Sequence, residues 1–282
     1  MTDHTTQSRR EAVKTLSVAT LAALGSPRRL WSAAPAVLAR PGLQLYTVRT
    51  EMEKSVEATL AKVAQLGYKE VEFAGYFNRT PAQIADLLKT NGLVAPSAHI
   101  MPDALGASWD KTLDTAAAVG HQWLVVAYLP EADRGPADAY KKLAGRFNTA
   151  AAAAKARGIS FAYHNHDFEF MPLGATNGHT VLMQECDPAL VQFELDLYWI
   201  TKAGKDAAAY VAQYPGRFPL VHVKDMTATG AMADVGMGTI DFQKIFTAAK
   251  GGIKHFYVER DDANPAFDSI GHSIEAMRRL HA

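Results

Sequence analysis

The stretch Tyr163-His164-Asn165-His166-Asp167-Phe168-Glu169-Phe170 decides the fold, because it places polar side chains at the end of a short apolar run. Three later stretches repeat this arrangement at intervals of roughly 30 residues, the length of a β/α unit: residues 194–196, 221–225 and 257–260. Buried parallel strands are usually apolar throughout, so polar groups confined to strand ends need an explanation. They indicate successive parallel strands whose carboxyl ends meet at one site.

Short β-prone runs alternate with helical patterns from residue 41 onward. The predicted strands are residues 42–46, 69–74, 94–99, 122–128, 159–166, 191–197, 219–224 and 254–260. The predicted helices include residues 55–67, 80–91, 111–119, 136–157 and 242–250. Eight parallel strands with helical crossovers close into a barrel, so we predict the α/β class and a (β/α)₈ TIM barrel. No linker divides residues 40–282, which are predicted to form a single catalytic domain.

The first 39 residues do not follow this pattern and are predicted to be a cleaved export signal. Arg9 and Arg10 precede an Ala-rich apolar run over residues 15–25, and small residues continue to Ala39. These features are typical of a secretory signal, and the adjacent arginines resemble the twin-arginine type. We therefore expect a periplasmic or otherwise exported protein, and no stable membrane insertion because the run is too short. An amphipathic or disordered N-terminal extension is the alternative.

Composition limits the partners of the predicted barrel. The chain has a net charge of +0, but residues 41–282 carry 23 basic and 27 acidic side chains and therefore sit near −4. A mildly acidic body lacks the basic surface that nucleic acids require. The lone Cys186 excludes an internal disulfide. We expect a small-molecule partner, and the sequence leaves open whether the protein forms a homo-oligomer.

Residues two apart in a strand share a face, so the polar strand ends point to a common site. One side chain from each of the last four predicted strands is a candidate ligand: His164, Asp196, His222 and Glu259. Imidazole nitrogen and carboxylate oxygen suit divalent ions, so we predict one Mn, Zn, Fe, Co or Mg ion there. Any one of these residues alone would be read as a core residue or a helix cap. Four at consecutive strand ends favour a metal.

Further strand-end residues are candidates for the same pocket. The predicted catalytic residues are Glu259 and His166, as acid or base, and Lys224, which would stabilise an enolate. The predicted substrate-binding residues are Tyr46, Glu72, His99, Glu169, Trp199 and Arg260. Each of the latter has a structural alternative, such as a salt bridge with a neighbouring loop or packing in the core.

The opening residues 42–49, Gly-Leu-Gln-Leu-Tyr-Thr-Val-Arg, together with the strand ends, resemble the xylose-isomerase-like barrel superfamily, in particular sugar phosphate isomerases/epimerases. The resemblance covers essentially all of residues 41–282. It implies a metal held by Glu, Asp, His and Glu from strands five to eight. Asp196, His222 and Glu259 match three of these positions, whereas His164 stands where the first glutamate is usual.

The resemblance and the strand-end residues together lead us to expect a divalent-metal-dependent isomerase or epimerase that acts on a sugar or keto-sugar through an enediolate. Because His164 replaces a carboxylate that usually flanks the substrate, a lyase or dehydratase on a keto-sugar or cyclic polyol stays open. A non-catalytic exported sugar-binding barrel and an accessory protein are further alternatives. A phosphodiesterase of the endonuclease IV type is disfavoured by the acidic body. The sequence contains no basic phosphate-binding cluster, so it does not indicate a phosphorylated substrate.

Overall fold

The computed structural model describes residues 40–281, which contain a closed barrel of eight parallel strands. The barrel strands in chain order are Gly42–Gln44, Glu70–Phe73, Val94–Ile100, Trp123–Val126, Ser160–His164, Val191–Asp196, Leu220–Val223 and His255–Val258. The first strand pairs in parallel with the eighth, which closes the barrel. All eight predicted strands and the predicted TIM barrel are therefore confirmed.

Helices connect the strands and cover the outside of the barrel. Their bounds are Arg49–Lys54, Val56–Leu66, Pro81–Asn91, Trp109–Val119, Ala137–Ala156, Gly178–Glu185, Leu197–Lys202, Ala207–Gln213, Phe242–Ala249 and Ala266–Met277. The five helices predicted from the sequence are all present, close to their predicted bounds. Two small antiparallel hairpins interrupt the long loops, Pro172–Leu173 with Thr176–Asn177 and Asp225–Met226 with Met232–Ala233.

Local sequence signals set the ends of several helices. Thr80 begins Pro81–Asn91 with a reciprocal capping box, in which its hydroxyl accepts from the Gln83 N–H and the Gln83 side chain accepts from the Thr80 N–H. Gly92 ends the same helix with φ +63°, a left-handed conformation that costs glycine little. The chain then turns directly into the third strand, whose carboxyl end reaches the barrel mouth.

Apolar side chains fill the barrel interior below the polar strand ends. Ala162 and Leu220 lie two residues before His164 and His222 and share their inward face. They form a buried cluster with Val125 and Tyr257. The Tyr257 ring has room because the facing residue is Gly42, where an added Cβ would come within 2.5 Å of the ring. This apolar layer lies beneath the polar strand ends that form the site, and the Glu70–His255 pair lies at the starts of its two strands, at the other end of the barrel.

The Asp225 carboxylate shapes the long loop after the seventh strand. It accepts hydrogen bonds from the backbone N–H groups of Met226, Gly236, Gly238 and Ile240. A buried carboxylate that accepts several backbone N–H groups fixes a loop without regular secondary structure. This loop is therefore held down beside the barrel mouth.

The predicted export signal, residues 1–39, lies outside the described residues, and export stays a prediction. Within residues 40–281, no helix has the length and apolarity needed to cross a membrane. Cys186 is buried and unpaired.

The Thr80 capping box should contribute measurably to stability. Thr80→Ala should lower the free energy of unfolding by about 1 kcal/mol, because the Gln83 N–H loses the hydroxyl that accepts its hydrogen bond. Urea unfolding followed by circular dichroism measures this change. Ser108→Ala is the matched control, since Ser108 precedes Trp109–Val119 but makes no capping hydrogen bond. Equal losses in both variants would contradict the assignment.

Candidate functional site

The four side chains predicted as metal ligands come together at the carboxyl end of the barrel. His164, Asp196, His222 and Glu259 each offer one ligand atom, and these atoms lie within 4.8 Å of one another. His164 Nε2 is 3.3 Å from Asp196 Oδ2, and His222 Nδ1 is 2.8 Å from Glu259 Oε2. All four side chains are buried. We call these four residues the outer cluster.

Backbone contacts orient two members of the outer cluster. His164 Nδ1 lies 2.9 Å from the Ala127 carbonyl oxygen, to which it can donate, so Nε2 faces the cluster. Asp196 Oδ1 accepts from the N–H groups of Tyr198 and Trp199, each at 2.9 Å, so Oδ2 is left for the cluster. Ligands with one atom fixed by the backbone are typical of preformed metal sites.

A second group of donors shares His222 and lies against its other ring nitrogen. Glu72, His99, Glu194 and His222 also place four ligand atoms within 4.8 Å of one another. We call these four residues the inner cluster. His222 Nε2 is 2.8 Å from Glu72 Oε2. Burial lowers the pKa of His222, but the charges of Glu194 and Glu259 outweigh it and raise that pKa well above its usual value.

Lys224 forms ion pairs with both carboxylates of the outer cluster and with Asp261. Its Nζ lies 2.7 Å from Glu259, 3.0 Å from Asp261 and 3.2 Å from Asp196. Burial lowers the pKa of Lys224, but the three carboxylates outweigh burial and raise that pKa above its usual value. The same ammonium and His222 hold the pKa of Glu259 well below its usual range, against the effect of burial. Lys224 therefore stays charged within this end of the barrel.

A cavity of about 600 Å³ opens above the outer cluster. Six of the residues predicted for the site line it: Tyr46, His99, His164, His166, Lys224 and Glu259. Tyr46 is 43% exposed. Charged groups thus lie at the floor of the cavity, and it is large enough for a monosaccharide or a larger sugar derivative.

Four of the predicted substrate-binding residues do not line this cavity: Glu72, Glu169, Trp199 and Arg260. Glu72 is fully buried and belongs to the inner cluster. Glu169 is also fully buried, where it accepts hydrogen bonds from the Tyr163 hydroxyl and the His166 N–H. Arg260 pairs with Asp234 at 2.7 Å and with Asp262 at 2.8 Å. These contacts are internal, so they hold loops and strand ends in place.

His166 and Trp199 lie together beside the cavity, with ring centroids 5.2 Å apart. Trp199 also lies 5.5 Å from the Lys224 ammonium. Within residues 40–281, His166 Nδ1 and Trp199 Nε1 are buried without a hydrogen-bond partner. Burial, and then the charge of His164, lower the pKa of His166 to about 2. His166 is therefore a neutral imidazole at ordinary pH, and of the two rings only His166 lines the cavity.

Two acidic residues at the site had not been singled out from the sequence. Asp261 lines the cavity and contacts Lys224. Burial, and then the charge of Glu259, raise the pKa of Asp261 above its usual value. Glu194 belongs to the inner cluster. For Glu194 the available signal was spacing, since it lies two residues before Asp196 in the same strand and shares its face. Asp261 lies in a turn beyond the end of its strand, where strand alternation gives no signal.

A sequence model of the family described as "Xylose isomerase-like TIM barrel" matches residues 60–280. The chain belongs to this family. No curated protein matches the chain.

Solved structures of the xylose isomerase-like type share this fold. A sugar phosphate isomerase/epimerase from Parabacteroides distasonis is 25% identical with a TM-score of 0.74, over 87% of this chain and 96% of that chain. An L-ribulose 3-epimerase is 15% identical with a TM-score of 0.64, over 86% and 96%. The IOLI protein, solved with a zinc atom, is 14% identical with a TM-score of 0.66, over 84% and 96%. The last two likenesses concern the fold alone.

Glu169 should make stability depend on pH. Burial raises its pKa from 4.5 to about 7, so the folded protein binds a proton that the unfolded chain releases. This contribution is complete below about pH 4.5 and is lost as the pH rises through about 7. Urea unfolding at several pH values should therefore show wild type losing stability over this range relative to Glu169→Gln. The exposed Glu53→Gln is the control, and parallel curves for wild type and Glu169→Gln would contradict the prediction.

Proposed function

We propose that this protein is a divalent-metal-dependent isomerase or epimerase that acts on a sugar or keto-sugar through an enediolate. One observation carries the proposal: two residues of the outer cluster, His164 and Glu259, line a cavity large enough for a sugar. Membership of the xylose isomerase-like family and the likeness to a sugar phosphate isomerase/epimerase support it. The substrate is an unphosphorylated carbohydrate, because Lys224 is the single basic residue lining the cavity among residues 40–281 and carboxylates already pair with it.

The residues of the outer cluster fit a divalent ion. His164 Nε2, His222 Nδ1, Asp196 and Glu259 supply two nitrogen and two oxygen donors, a set suited to Zn, Mn, Fe or Co. Their two carboxylates balance the charge of one such ion. When bound, the ion would polarise a carbonyl and a neighbouring hydroxyl oxygen and so acidify the proton on the carbon that bears the hydroxyl.

The side chains around the cavity supply the remaining chemistry. Asp261 takes the proton from the substrate carbon, since it lines the cavity and its pKa is raised, whereas the lowered pKa of Glu259 makes that carboxylate the weaker base. The electron pair moves onto the carbonyl oxygen, and the buried Lys224 ammonium stabilises the resulting enediolate. Reprotonation on the adjacent carbon gives isomerisation, and reprotonation on the other face gives epimerisation. His166, with a pKa of about 2, is a weak base and instead offers Nδ1 to a substrate hydroxyl.

A lyase or dehydratase is the second candidate, and one observation favours it. Glu259 and Asp261 follow the same strand, whereas the first ligand position holds the imidazole of His164. The carboxylates that can act as base therefore stand on one side of the cavity. A base on one side suffices to abstract a proton and to expel a β-substituent, with that proton returned to the leaving group.

Export is part of the proposal, supported by the pattern of residues 9–39. An exported enzyme would meet unphosphorylated sugars. N-terminal sequencing of the protein recovered from the cell envelope fraction tests this, and a cytosolic protein that keeps residues 1–39 would contradict it.

Metal-dependent proton exchange tests the reaction. We expect the protein with Mn²⁺ or Zn²⁺ in D₂O to replace the α-proton of at least one of a panel of ketoses and keto-sugars, followed by ¹H NMR. EDTA should abolish the exchange, and added metal should restore it. Asp196→Asn should lower the exchange rate at least about 100-fold, because the cluster loses a carboxylate.

Asp206→Asn is the matched control for this experiment. Asp196 and Asp206 both cap helices through Oδ1, a role that asparagine keeps, but only Asp196 belongs to the outer cluster. If the metal-loaded wild type binds a sugar but exchanges no proton, the proposed enzymatic activity is contradicted. A non-catalytic sugar-binding barrel would then be the better interpretation. Deuterium retained in an isomer or epimer identifies the isomerase, and a product that has lost its β-substituent, as the enol or the deoxy-dicarbonyl sugar formed from it, identifies the lyase.

A further inference from the structure

The inner cluster has a geometry that differs from an ordinary pair of salt bridges. His99 Nε2 lies 2.7 Å from Glu194 Oε2 and 3.2 Å from Glu72 Oε2. His222 Nε2 lies 2.8 Å from Glu72 Oε2 and 3.2 Å from Glu194 Oε2. Each nitrogen therefore approaches both oxygens. Because each Nε2 carries at most one hydrogen, these four contacts cannot all be strong hydrogen bonds.

The spacing of these four atoms is close to that of ligands around one ion. Donors bound tetrahedrally at 2.0–2.1 Å lie about 3.3 Å from one another. The four nitrogen–oxygen distances in the inner cluster, between 2.7 and 3.2 Å, need only a small expansion to reach this value. Two imidazoles and two carboxylates also match the preference of Zn²⁺ and Co²⁺, with the carboxylate charges balancing the ion.

Glu194 gives an independent indication that a partner belongs here. Its Oε1 is fully buried and has no hydrogen-bond partner among residues 40–281. A buried carboxylate oxygen without a donor is costly, and a cation next to the group would offset that cost. Oε2 of the same carboxylate already points at both imidazoles.

Neighbouring side chains hold the inner cluster in place. The Gln44 side-chain amide donates to Glu72 Oε2 at 2.7 Å, and the Ser97 hydroxyl donates to Glu72 Oε1. The rings of His99 and His222 stack with centroids 5.1 Å apart. His99 also lines the cavity, which gives an ion a route to the buried carboxylates.

We infer that Glu72, His99, Glu194 and His222 Nε2 form a second divalent-cation site, separate from the outer cluster and reached through the cavity. The sites are coupled through His222, which presents Nδ1 to Glu259 and Nε2 to Glu72. A neutral imidazole binds a metal through one nitrogen while the other keeps its proton, so His222 serves one site at a time. The inner site must therefore be tested with the outer cluster disabled.

Binding of Co²⁺ and Zn²⁺ to the double variant Asp196→Asn/Glu259→Gln tests the inference. Co²⁺ is followed by its visible d–d absorption, and Zn²⁺ by metal analysis after gel filtration. We expect this variant to take up about one equivalent of either ion, with Co²⁺ absorption typical of four-coordinate binding. Adding Glu194→Gln, or Glu72→Gln, should weaken binding at least about tenfold, because a charged ligand is lost.

Glu70→Gln in the same background is the matched control. Glu70 lies two residues before Glu72 in the same strand and is likewise buried, but it pairs with His255 outside the inner cluster. Its substitution should leave the affinity unchanged. Circular dichroism confirms that each compared variant is folded.

Two outcomes would overturn the inference. One is a folded Asp196→Asn/Glu259→Gln protein that takes up no Co²⁺ or Zn²⁺. The other is uptake that Glu194→Gln and Glu72→Gln leave unchanged. Either result would mean that the inner cluster orients His222 and does not bind a metal ion. Neither bears on proton exchange by the wild type, so failure of the second site and failure of the proposed reaction can be told apart.

Discussion

Buried carboxylates at the carboxyl end of the barrel impose the constraint on which the site depends. Glu72, Glu194, Asp196 and Glu259 are all buried within this one end of the barrel. Carboxylates withdrawn from water require positive charge and hydrogen-bond donors close by. His222 lies between the two pairs, with one ring nitrogen toward each. The imidazole of His222 therefore connects the two clusters.

The closed barrel holds these charged side chains in fixed positions relative to one another. The alternation of side chains along each strand sends apolar residues such as Ala162 inward below the polar strand ends. Tyr257 occupies the interior beside Gly42, which has no Cβ to displace it. Asp225 holds the loop after the seventh strand through four backbone N–H groups. The apolar layer beneath the site and the fixed loop keep the donors in place, as a preorganised site requires.

Membership of the xylose isomerase-like family accounts for the barrel. His164 distinguishes this chain, because its position is where the resemblance leads one to expect a glutamate. An imidazole there lowers the negative charge of the donor set, and in the proposed reaction the proton transfer falls to Asp261. Lys224 lies between Glu259 and Asp261, so its positive charge is already paired with these carboxylates before any substrate binds.

The sequence by itself determined the eight strands, the barrel and the four residues of the outer cluster. It could do so because the two-residue repeat of strands and the order of parallel strands are local properties that carry strand ends to one edge. Only the tertiary structure decided how residues far apart in sequence pair. It directed Glu169 and Arg260 to internal partners and Glu72 to His222, and it brought Asp261 into the cavity. Those outcomes depend on side-chain direction and on charge balance across the barrel, which no local pattern encodes.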